Sequence, residues 1–389
     1  MMQTIFWVSL FIVFYTYAGY GIVLFVLVKL LRLFKKKPVM DPNYDFPTVT
    51  VIVAAYNEAY CIEEKIKNTL SLEYPLGKVK YIFVTDGSTD ETPAIIAKYP
   101  AIQLMHKEGR SGKIVAVHRA MKDVDTQVAV FTDANTMLNS LALINICRHY
   151  QFPQVGAIAG EKRVQIDNSG DATAGEGFYW KYESKLKAWD SELYSVVGAA
   201  GELFSVKTDL YVPVEPDTIL DDFMISMLIA EKGYRIIYEP EAYATESASA
   251  NTKEELKRKI RIAAGGIQSF LRLTSLLNPF KLPVLSFQYL SHRILRWTIT
   301  PFLMVLSFVL NWLIVIYAEG DWKYQVLLVL QTLFYGFALL GWAMQSRSIK
   351  IKVFFIPYYF CMMNFAVLAG IKRYLFSNQS VLWEKAKRK

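Results

Sequence analysis

The stretch that decides the fold is T-V-T-V-I-V-A-A-Y-N-E, residues 48–58, an apolar run that ends abruptly in polar side chains. Its first seven residues are mostly β-branched, which predicts a buried strand. Two later runs end in the same way: residues 81–85 lead into D-G-S-T-D (86–90), and residues 128–132 lead into D-A-N (133–135). We therefore predict three buried strands, each with polar residues at its carboxyl end.

Helix-like stretches alternate with these strands and predict an α/β domain. Residues 58–70 and 113–120 have helical patterns, and residues 155–159 form a fourth strand candidate. Such alternation is typical of a mostly parallel sheet covered by helices on both faces. Ligands of such sheets bind at the carboxyl ends of the strands, so the polar residues at the strand ends mark the expected site.

Both ends of the chain are strongly apolar. Residues 5–28 form one apolar segment, and three more follow near 297–318, 324–344 and 351–371. A helix of roughly 20 apolar residues crosses a bilayer, and the 53% hydrophobic content is above the soluble norm. Lys35, Lys36 and Lys37 follow the first segment, so the positive-inside rule predicts a cytoplasmic domain. We expect an integral membrane protein.

The remaining bulk features exclude several classes. The net charge of +8 gathers beside the apolar segments and not in one stripe, which fits contact with membrane lipid and not with nucleic acid. The three cysteines have no C-x-x-C spacing, which argues against a zinc site or a disulfide framework. A P-loop and a G-x-G-x-x-G after the first strand are both absent, so ATPases and dinucleotide dehydrogenases lose their main support.

The composition divides the chain into six parts. We predict an N-terminal transmembrane anchor (1–34), a basic linker (35–46), the α/β domain (47–265), an amphipathic membrane-interface segment (266–296), C-terminal transmembrane segments (297–375) and a basic tail (376–389). Four full spans would put this tail outside, whereas its charge favours the inside. Pro357 marks the last apolar segment as a candidate re-entrant or interfacial helix, and the sequence leaves the two topologies open.

The strand-end carboxylates suit a nucleotide and a divalent cation. A base edge, a ribose diol and a metal on two phosphates are hard, polar ligands for Asp and Glu. Arg110 and Lys113 flank a helix start, where they favour a pyrophosphate. The pair Asp221-Asp222 opens a later helix and reads either as a cap or as a general base. For Asp90, a turn or cap role and a binding role stay equally open.

Seven motifs in this order resemble the inverting family-2 glycosyltransferases: A-Y-N-E (55–58), T-D-G-S-T-D (85–90), R-S-G-K (110–113), T-D-A-N (132–135), G-A-A-G-E-L-F (198–204), L-D-D-F (220–223) and K-R-K-I-R (257–261). The resemblance covers residues 47–266 and implies a GT-A fold, the Rossmann-like fold of nucleotide-diphospho-sugar transferases. The flanking segments resemble those of membrane-bound members that make bacterial cell-surface polysaccharides, which implies an integral protein of a bacterial inner membrane with its catalytic domain in the cytoplasm. The expected reaction moves a sugar from a nucleotide-sugar, expected to be a UDP-sugar, to a lipid-linked or polysaccharide acceptor.

The resemblance also implies a role for individual residues. Asp222 matches the catalytic base, with Asp221 beside it. Asp133 and Asn135 match the metal motif, which would hold Mg²⁺ or Mn²⁺. The donor side comprises Tyr56, Glu58, Asp86, Arg110, Lys113 and Asp133. The acceptor or diphosphate side comprises Gly201, Glu202, Arg258 and Arg261.

Three departures from the family pattern bear on the expected function. Asn135 replaces the second metal-binding Asp, Arg258 stands where the family has Gln, and Ile262 stands where processive synthases have Trp. The missing Trp favours transfer of a single sugar over a processive polysaccharide synthase. Two further functions remain open, a non-catalytic nucleotide-binding partner of an assembly complex and a nucleotidyltransferase. The intact Asp133 and Asp222 argue against the first, and the A-Y-N-E run argues against the second.

Overall fold

The computed structural model describes residues 1–35, 39–165, 173–247, 252–317, 321–345 and 352–376. One eight-stranded sheet, ordered β3-β2-β1-β4-β7-β6-β8-β5, forms the centre of its α/β domain. The strands are β1 (Val49–Ala55), β2 (Val79–Asp86), β3 (Gln103–Lys107), β4 (Val128–Asp133), β5 (Thr136–Leu138), β6 (Val155–Gln165), β7 (Leu203–Lys207) and β8 (Arg235–Ser247).

Helices cover the sheet and extend from both ends of the chain. They are α1 (Met2–Phe14), α2 (Tyr20–Phe34), α3 (Ile62–Leu70), α4 (Thr92–Ile96), α5 (Lys113–Met121), α6 (Ala142–Cys147), α7 (Thr173–Leu193), α8 (Asp221–Glu231), α9 (Thr252–Arg272), α10 (Pro283–Tyr289), α11 (Leu295–Trp297), α12 (Thr300–Tyr317), α13 (Trp322–Gln345) and α14 (Lys352–Phe376). A π-helical turn joins α1 to α2 without breaking the helix. The predicted boundary between residues 265 and 266 stays a prediction and lies within α9.

Strand β1 is buried along its whole length because both faces of the sheet are covered. Its alternate residues enter two separate cores, since side chains alternate between the faces of a strand. Ile52 and Ala54 pack with α5 and α8, whereas Val51 and Val53 pack with α3 and α6. The continuous apolar run therefore reflects burial on two sides.

The sheet is parallel where it positions the site and mixed elsewhere. Strands β3, β2, β1 and β4 are mutually parallel, but β7 lies antiparallel between β4 and β6. The sequence correctly predicted β1, β2, β4 and β6. It missed β3, β5, β7 and β8. The prediction of a mostly parallel sheet holds for four of the seven strand pairings, because β6 and β8 are also parallel, whereas β7 and β5 are antiparallel to their neighbours.

Four helices are long and apolar enough to cross a membrane, counted over the described residues. They are Met2–Phe34, Thr300–Tyr317, Trp322–Met344 and Val353–Phe376. Each corresponds to one of the apolar segments predicted from the sequence. Lys36 and Lys37 of the predicted basic linker, and residues 377–389 of the basic tail, lie outside the described residues.

A buried polar contact joins the N-terminal helix to the α/β domain. The Asp190 carboxylate of α7 accepts a hydrogen bond from the Tyr20 hydroxyl of α2 at 2.5 Å. The other Asp190 oxygen bonds the His292 ring, also at 2.5 Å. Breaking one partner would leave a buried polar group unpaired, so this contact fixes how α2 sits on the domain.

A buried carboxylate on the same helix extends this network. Glu183 of α7 pairs with Arg293 at 3.0 Å and with Arg296 at 2.9 Å. Burial by itself raises the pKa of Glu183, but His292 and the two arginines hold that pKa well below its usual value. Glu183 is therefore ionised and joins α7 to the segment that leads into α12.

Candidate active site

The strand-end residues meet at one edge of the sheet. In the parallel register, Ala55 of β1 lies beside Thr85 of β2, and Ala54 lies beside Asp133 of β4. The chain leaves β1, β2 and β4 at one edge of the sheet, with Tyr56, Asp86 and Asp133 side by side. The strand order changes direction here, since β2 lies on one side of β1 and β4 on the other. Open α/β sheets bind ligands at such a position. Two small adjacent cavities at this edge share Ala54 and Lys113 in their linings.

One of the two cavities, lined by Tyr56, Asp86 and Arg110 among others, has the features of a nucleoside site. The Arg110 guanidinium lies 3.9 Å from the centre of the Tyr56 ring. The Asp86 carboxylate accepts hydrogen bonds through Oδ2 from the backbone N–H groups of Ser111 and Gly112, at 2.8 and 2.6 Å. Its Oδ1 is buried and has no hydrogen-bond partner among the described residues. This oxygen is an acceptor available to a ligand.

Arg119 contacts the end of β2 beside Asp86, and it was not identified from the sequence. Its guanidinium donates to the Thr85 carbonyl at 2.8 Å and lies 3.9 Å from Asp86 Oδ1. Gly87, in the same turn, has a φ of 67°, and a Cβ there would lie 2.7 Å from the backbone nitrogen of Arg110. Only glycine therefore allows the two loops to approach this closely.

Glu58 and Asp90 form hydrogen bonds within the loops that follow β1 and β2. Glu58 is buried, its N–H donates to the Thr92 hydroxyl at 2.8 Å, and its side chain is outside the lining of the two cavities. The two Asp90 oxygens accept from the N–H groups of Ala59 and Thr92, both at 3.0 Å. Asp90 thus has the turn role, and the donor role of Glu58 stays a prediction.

Lys113 joins the two cavities. At the first residue of α5, its ammonium donates to Asp133 Oδ1 at 2.7 Å and lies 4.0 Å from Asp221 Oδ2. Burial lowers the pKa of Lys113, but the carboxylates of Asp133, Asp221 and Asp222 outweigh it and raise the pKa above its usual value. Lys113 is therefore a permanent cation between the metal motif and the predicted base.

Asp222 lies at the start of α8 and faces Gly201. A Cβ on Gly201 would be 3.2 Å from Asp222 Oδ2 and 3.5 Å from the Lys113 Nζ. Burial and the neighbouring Asp221 carboxylate raise the pKa of Asp222 to about 7, with Lys113 opposing the rise. A carboxylate with a pKa near the working pH is suited to general-base catalysis. The structure thus brings together Asp133, Lys113, Gly201, Asp221 and Asp222, which are far apart in sequence.

Glu202 and Arg258 belong to a buried ionic cluster beside this centre. Lys162 bridges Glu202 at 2.5 Å and Glu246 at 2.7 Å, and Arg258 donates to Glu202 at 3.2 Å. Although burial raises the pKa of Glu202, Lys162 and Arg258 hold it far below its usual value. Lys162 was not identified from the sequence, because its partners Glu202 and Glu246 come from two segments that are distant from it in the chain.

The Arg261 guanidinium lies within the electrostatic influence of the carboxylate centre. Burial lowers the pKa of this guanidinium, followed by repulsion from Arg258, while Asp221, Asp222 and Asp133 act in the opposite direction. Arg261, one of the two arginines predicted for the acceptor or diphosphate side, is thus under the influence of the carboxylates Asp133, Asp221 and Asp222. Arg258 is held among carboxylates, and its contact with a ligand stays a prediction.

The donor set at this edge fits a metal that also binds the substrate. Among the described residues, no three His, Cys, Asp or Glu side chains come together as a metal site. Asp133 provides one carboxylate, and Asn135 in the same turn provides an amide oxygen. Mg²⁺ and similar cations keep water ligands and bind through one or two carboxylates plus substrate phosphates. Asp133 and Asn135 have the chemistry for such a shared site.

Comparison with known proteins gives concordant matches. Residues 50–211 match the family model described as Glycosyl transferase family 2. A poly-β-1,6-N-acetyl-D-glucosamine synthase of Staphylococcus aureus is 28% identical over 246 residues, 61% of this chain and 58% of that protein. A β-monoglucosyldiacylglycerol synthase of a Nostoc species is 29% identical over 166 residues, 40% of this chain and 34% of that protein. The chain thus spans little more than half the length of the first relative.

Among solved structures, a mannosyltransferase from Pyrobaculum calidifontis in complex with GDP-mannose and Mn²⁺ superposes with a TM-score of 0.72. The match covers 97% of this chain and 99% of that protein, at 24% sequence identity. Coverage of this extent includes the apolar helices at both ends as well as the sheet. At this level of identity the likeness establishes the fold.

Proposed function

We propose that the protein is an inverting glycosyltransferase at a membrane, because residues 50–211 match the Glycosyl transferase family 2 model and the chain shares its fold with a solved mannosyltransferase. One observation carries the proposal. A nucleoside site (Tyr56, Asp86), a cation (Lys113) and a carboxylate with a raised pKa (Asp222) follow one another along the same edge of the sheet. This is the order of base, diphosphate and attacking hydroxyl in a sugar transfer.

The proposed donor is a UDP-sugar. Oδ1 of Asp86 accepts no hydrogen bond among the described residues, so it favours a base that presents an N–H group at that position. Uracil presents such an N–H, as does guanine, whereas cytosine and adenine present ring acceptors there. The Tyr56 ring, now covered by Arg110, is a surface on which a pyrimidine can stack.

The reaction then needs three actions from the chain. Lys113 provides positive charge next to the leaving diphosphate. Asp222 accepts the proton of the acceptor hydroxyl as its oxygen attacks the anomeric carbon opposite the leaving group, which inverts the configuration. Gly201 leaves space beside Asp222 for that hydroxyl. When bound at Asp133 and Asn135, Mg²⁺ or Mn²⁺ would neutralise charge on the diphosphate.

The proposed acceptor is a lipid-linked or polysaccharide hydroxyl. The relatives of this chain include one polymer synthase and one glycolipid synthase, so the comparisons favour both a processive and a single-sugar enzyme. We favour single transfer because Ile262 provides no aromatic ring for a growing chain. Similarity to the polymer synthase keeps a processive enzyme as the second candidate.

A donor screen tests the function. Detergent-purified protein is incubated with a panel of UDP-sugars and GDP-mannose in Mn²⁺ or Mg²⁺, and nucleotide release is measured with and without membrane lipid extract. We expect UDP release from one UDP-sugar. Release of GDP alone would contradict the proposed base but not the transferase. No release and no nucleotide binding would contradict the transferase itself.

Transfer should depend on pH through Asp222. The base works only when ionised, so activity should be full above its pKa of about 7. Below that pH, kcat/KM should fall about tenfold per pH unit. The measurement is kcat/KM across pH with the fold monitored by circular dichroism. A rate that stays constant well below pH 7 in folded protein would contradict the assignment.

We propose that the helix α14 lies along the cytoplasmic face and does not cross the membrane. Contacts between the N-terminal helix and α12 mark the two sides of the membrane. Phe6 packs near Ile314 on one side, and Thr16 bonds Thr300 at 3.1 Å on the other. Beyond that level, Tyr20 of α2 already contacts the α/β domain. The level of Thr16 and Thr300 is therefore the side of the membrane on which the domain lies.

The contacts of α14 are on this domain side. Asn364, near its middle, accepts from the Tyr17 hydroxyl at 2.5 Å. Tyr358 and Met362 pack near Leu256 of α9. Gly370 packs so closely on α9 that a Cβ would lie 2.6 Å from that of Ala263. Three crossings then remain, so the basic tail would lie inside, as the positive-inside rule favours.

Cysteine labelling tests this topology. In a background with the native Cys61, Cys147 and Cys361 replaced by alanine, single cysteines are introduced as Ser380→Cys in the tail and Asp321→Cys before α13. A membrane-impermeant maleimide added outside intact cells should label Asp321→Cys and spare Ser380→Cys until the cells are opened. Labelling of both from outside would mean that α14 crosses the membrane.

A further inference from the structure

Helix α3 and the residue before it carry a stripe of polar side chains that faces the turn between β4 and β5. Cys61, Lys65 and Asn68 are spaced four and three residues apart, so they lie on one side of the helix. The turn they face contains Asp133 and Asn135. None of the seven glycosyltransferase motifs includes this stripe.

Each member of the stripe bonds a different point of the segment formed by the end of β4, the turn and β5. Cys61 Sγ lies 3.8 Å from the Ala134 carbonyl. Lys65 Nζ donates to the Thr132 hydroxyl at 3.0 Å and to the Thr136 carbonyl at 2.7 Å. Asn68 bonds both the N–H and the carbonyl of Leu138, each at 2.8 Å. The two Lys65 hydrogen bonds span the turn from the residue before Asp133 to the residue after Asn135.

Lys65 is an unusual residue for this position. Its side chain is fully buried, and an apolar residue would serve the packing of α3 at lower cost, since burying an amine requires hydrogen bonds in compensation. Burial lowers the pKa of Lys65 to about 7, and the Asp133 carboxylate opposes this shift. Both hydrogen bonds are donated by the amine in either protonation state, so the tether does not depend on titration.

Other bonds extend the same support. The Thr132 hydroxyl also donates to the Glu202 carbonyl at 2.9 Å, and the Thr136 hydroxyl donates to the Asp133 carbonyl at 3.0 Å. The backbone of the turn is thereby connected through Lys65 to α3 on one side and through Thr132 to the acceptor-side segment on the other. The orientation of the Asp133 carboxylate follows from this backbone.

We infer that Lys65 is a positioning residue that sets the geometry of the divalent-metal site formed by Asp133 and Asn135. The inference rests on the proposed function, because the metal is shared with the nucleotide diphosphate. The two Lys65 hydrogen bonds go to neighbours of the metal ligands and not to the ligands themselves. Lys65 acts through the turn that presents both oxygens, as outer-shell groups do in metalloproteins.

The test is a Mn²⁺ titration, followed by electron paramagnetic resonance, of the full-length protein saturated with UDP. Lys65→Met keeps the length of the side chain and removes its donors. We expect this variant to bind Mn²⁺ about tenfold more weakly, the size usual for loss of an outer-shell partner. In the release assay, the Mn²⁺ concentration for half-maximal rate should rise by a similar factor, while saturating Mn²⁺ restores most of kcat. A merely destabilised protein would lose active fraction without this shift.

Lys67→Met is the matched control. Lys67 lies on the exposed side of the same helix and pairs with Glu63 at 2.9 Å, so its replacement should leave Mn²⁺ affinity unchanged. If Lys65→Met does not fold, Thr132→Val removes one Lys65 acceptor and should give a smaller loss of affinity. Wild-type Mn²⁺ affinity in folded Lys65→Met, or in Thr132→Val where that variant is needed, would overturn the inference and leave the transferase standing. Unmodified protein that releases UDP from a UDP-sugar but binds no Mn²⁺ would overturn the inference alone, and failure of the donor screen would overturn the function with it.

Discussion

Replacing Asp222 by Asn should lower kcat by about a thousandfold, within the range usual for loss of a general base. The amide cannot accept the proton of the acceptor hydroxyl, so the attacking oxygen loses its activation. The fold should survive because Asn retains the oxygen that accepts the Phe223 N–H at 2.8 Å, and because the change removes the repulsion between the Asp221 and Asp222 carboxylates. Donor binding should also be retained, since the nucleoside site is formed by other residues.

The measurement compares kcat and the KM for the donor in Asp222→Asn and unmodified protein. A loss confined to kcat indicates an interaction made in the transition state. Asp209→Asn is the matched control, because Asp209 is an exposed carboxylate in the segment before α8 and should have no effect. Turnover close to that of the unmodified protein would remove Asp222 from the role of base and make Asp221 the next candidate.

Replacing Asp133 by Asn should abolish metal-dependent nucleotide binding. The change removes the single carboxylate of the proposed metal site, leaving two neutral amide oxygens, and affinity for Mn²⁺ should fall by about a hundredfold or more. It also removes the negative charge that pairs with the Lys113 ammonium at 2.7 Å. Part of the lost activity will therefore come from a displaced Lys113.

Calorimetric titration of UDP with and without Mn²⁺ separates the two effects. Loss of the metal-dependent part of UDP affinity is the expected result, with weak metal-independent binding at Tyr56 and Asp86 retained. Asp125→Asn serves as the control, since Asp125 precedes β4 and forms a surface pair with Lys80, at 2.6 Å. Unchanged Mn²⁺ enhancement in Asp133→Asn would rule out Asp133 as a ligand.

Much of the molecule was predictable because its signals are local. A strand buried on both faces must be a continuous apolar run, so β1, β2 and β4 and the polar residues at their ends could be read directly. Apolar length alone identifies the candidate spans. Short strands such as β5 and β7 carry no such run, and β8 alternates polar with apolar residues. These strands depend on partners distant in sequence, and all were missed.

The sequence by itself predicted most of the residues that the structure brings together at one edge of the sheet, and it located the apolar segments that are long enough to cross a membrane. The tertiary structure alone decided which of those residues face the cavities. Asp86 presents an oxygen that accepts no hydrogen bond within the described part of the chain, whereas Glu58 is buried in its own loop. Arg258 is held by Glu202, while Arg261 is influenced by the carboxylate centre. It also brought Lys65 under the turn that carries Asp133. Motif spacing reports chain order, but such pairings arise from packing between distant elements, where burial forces each polar group to find a partner.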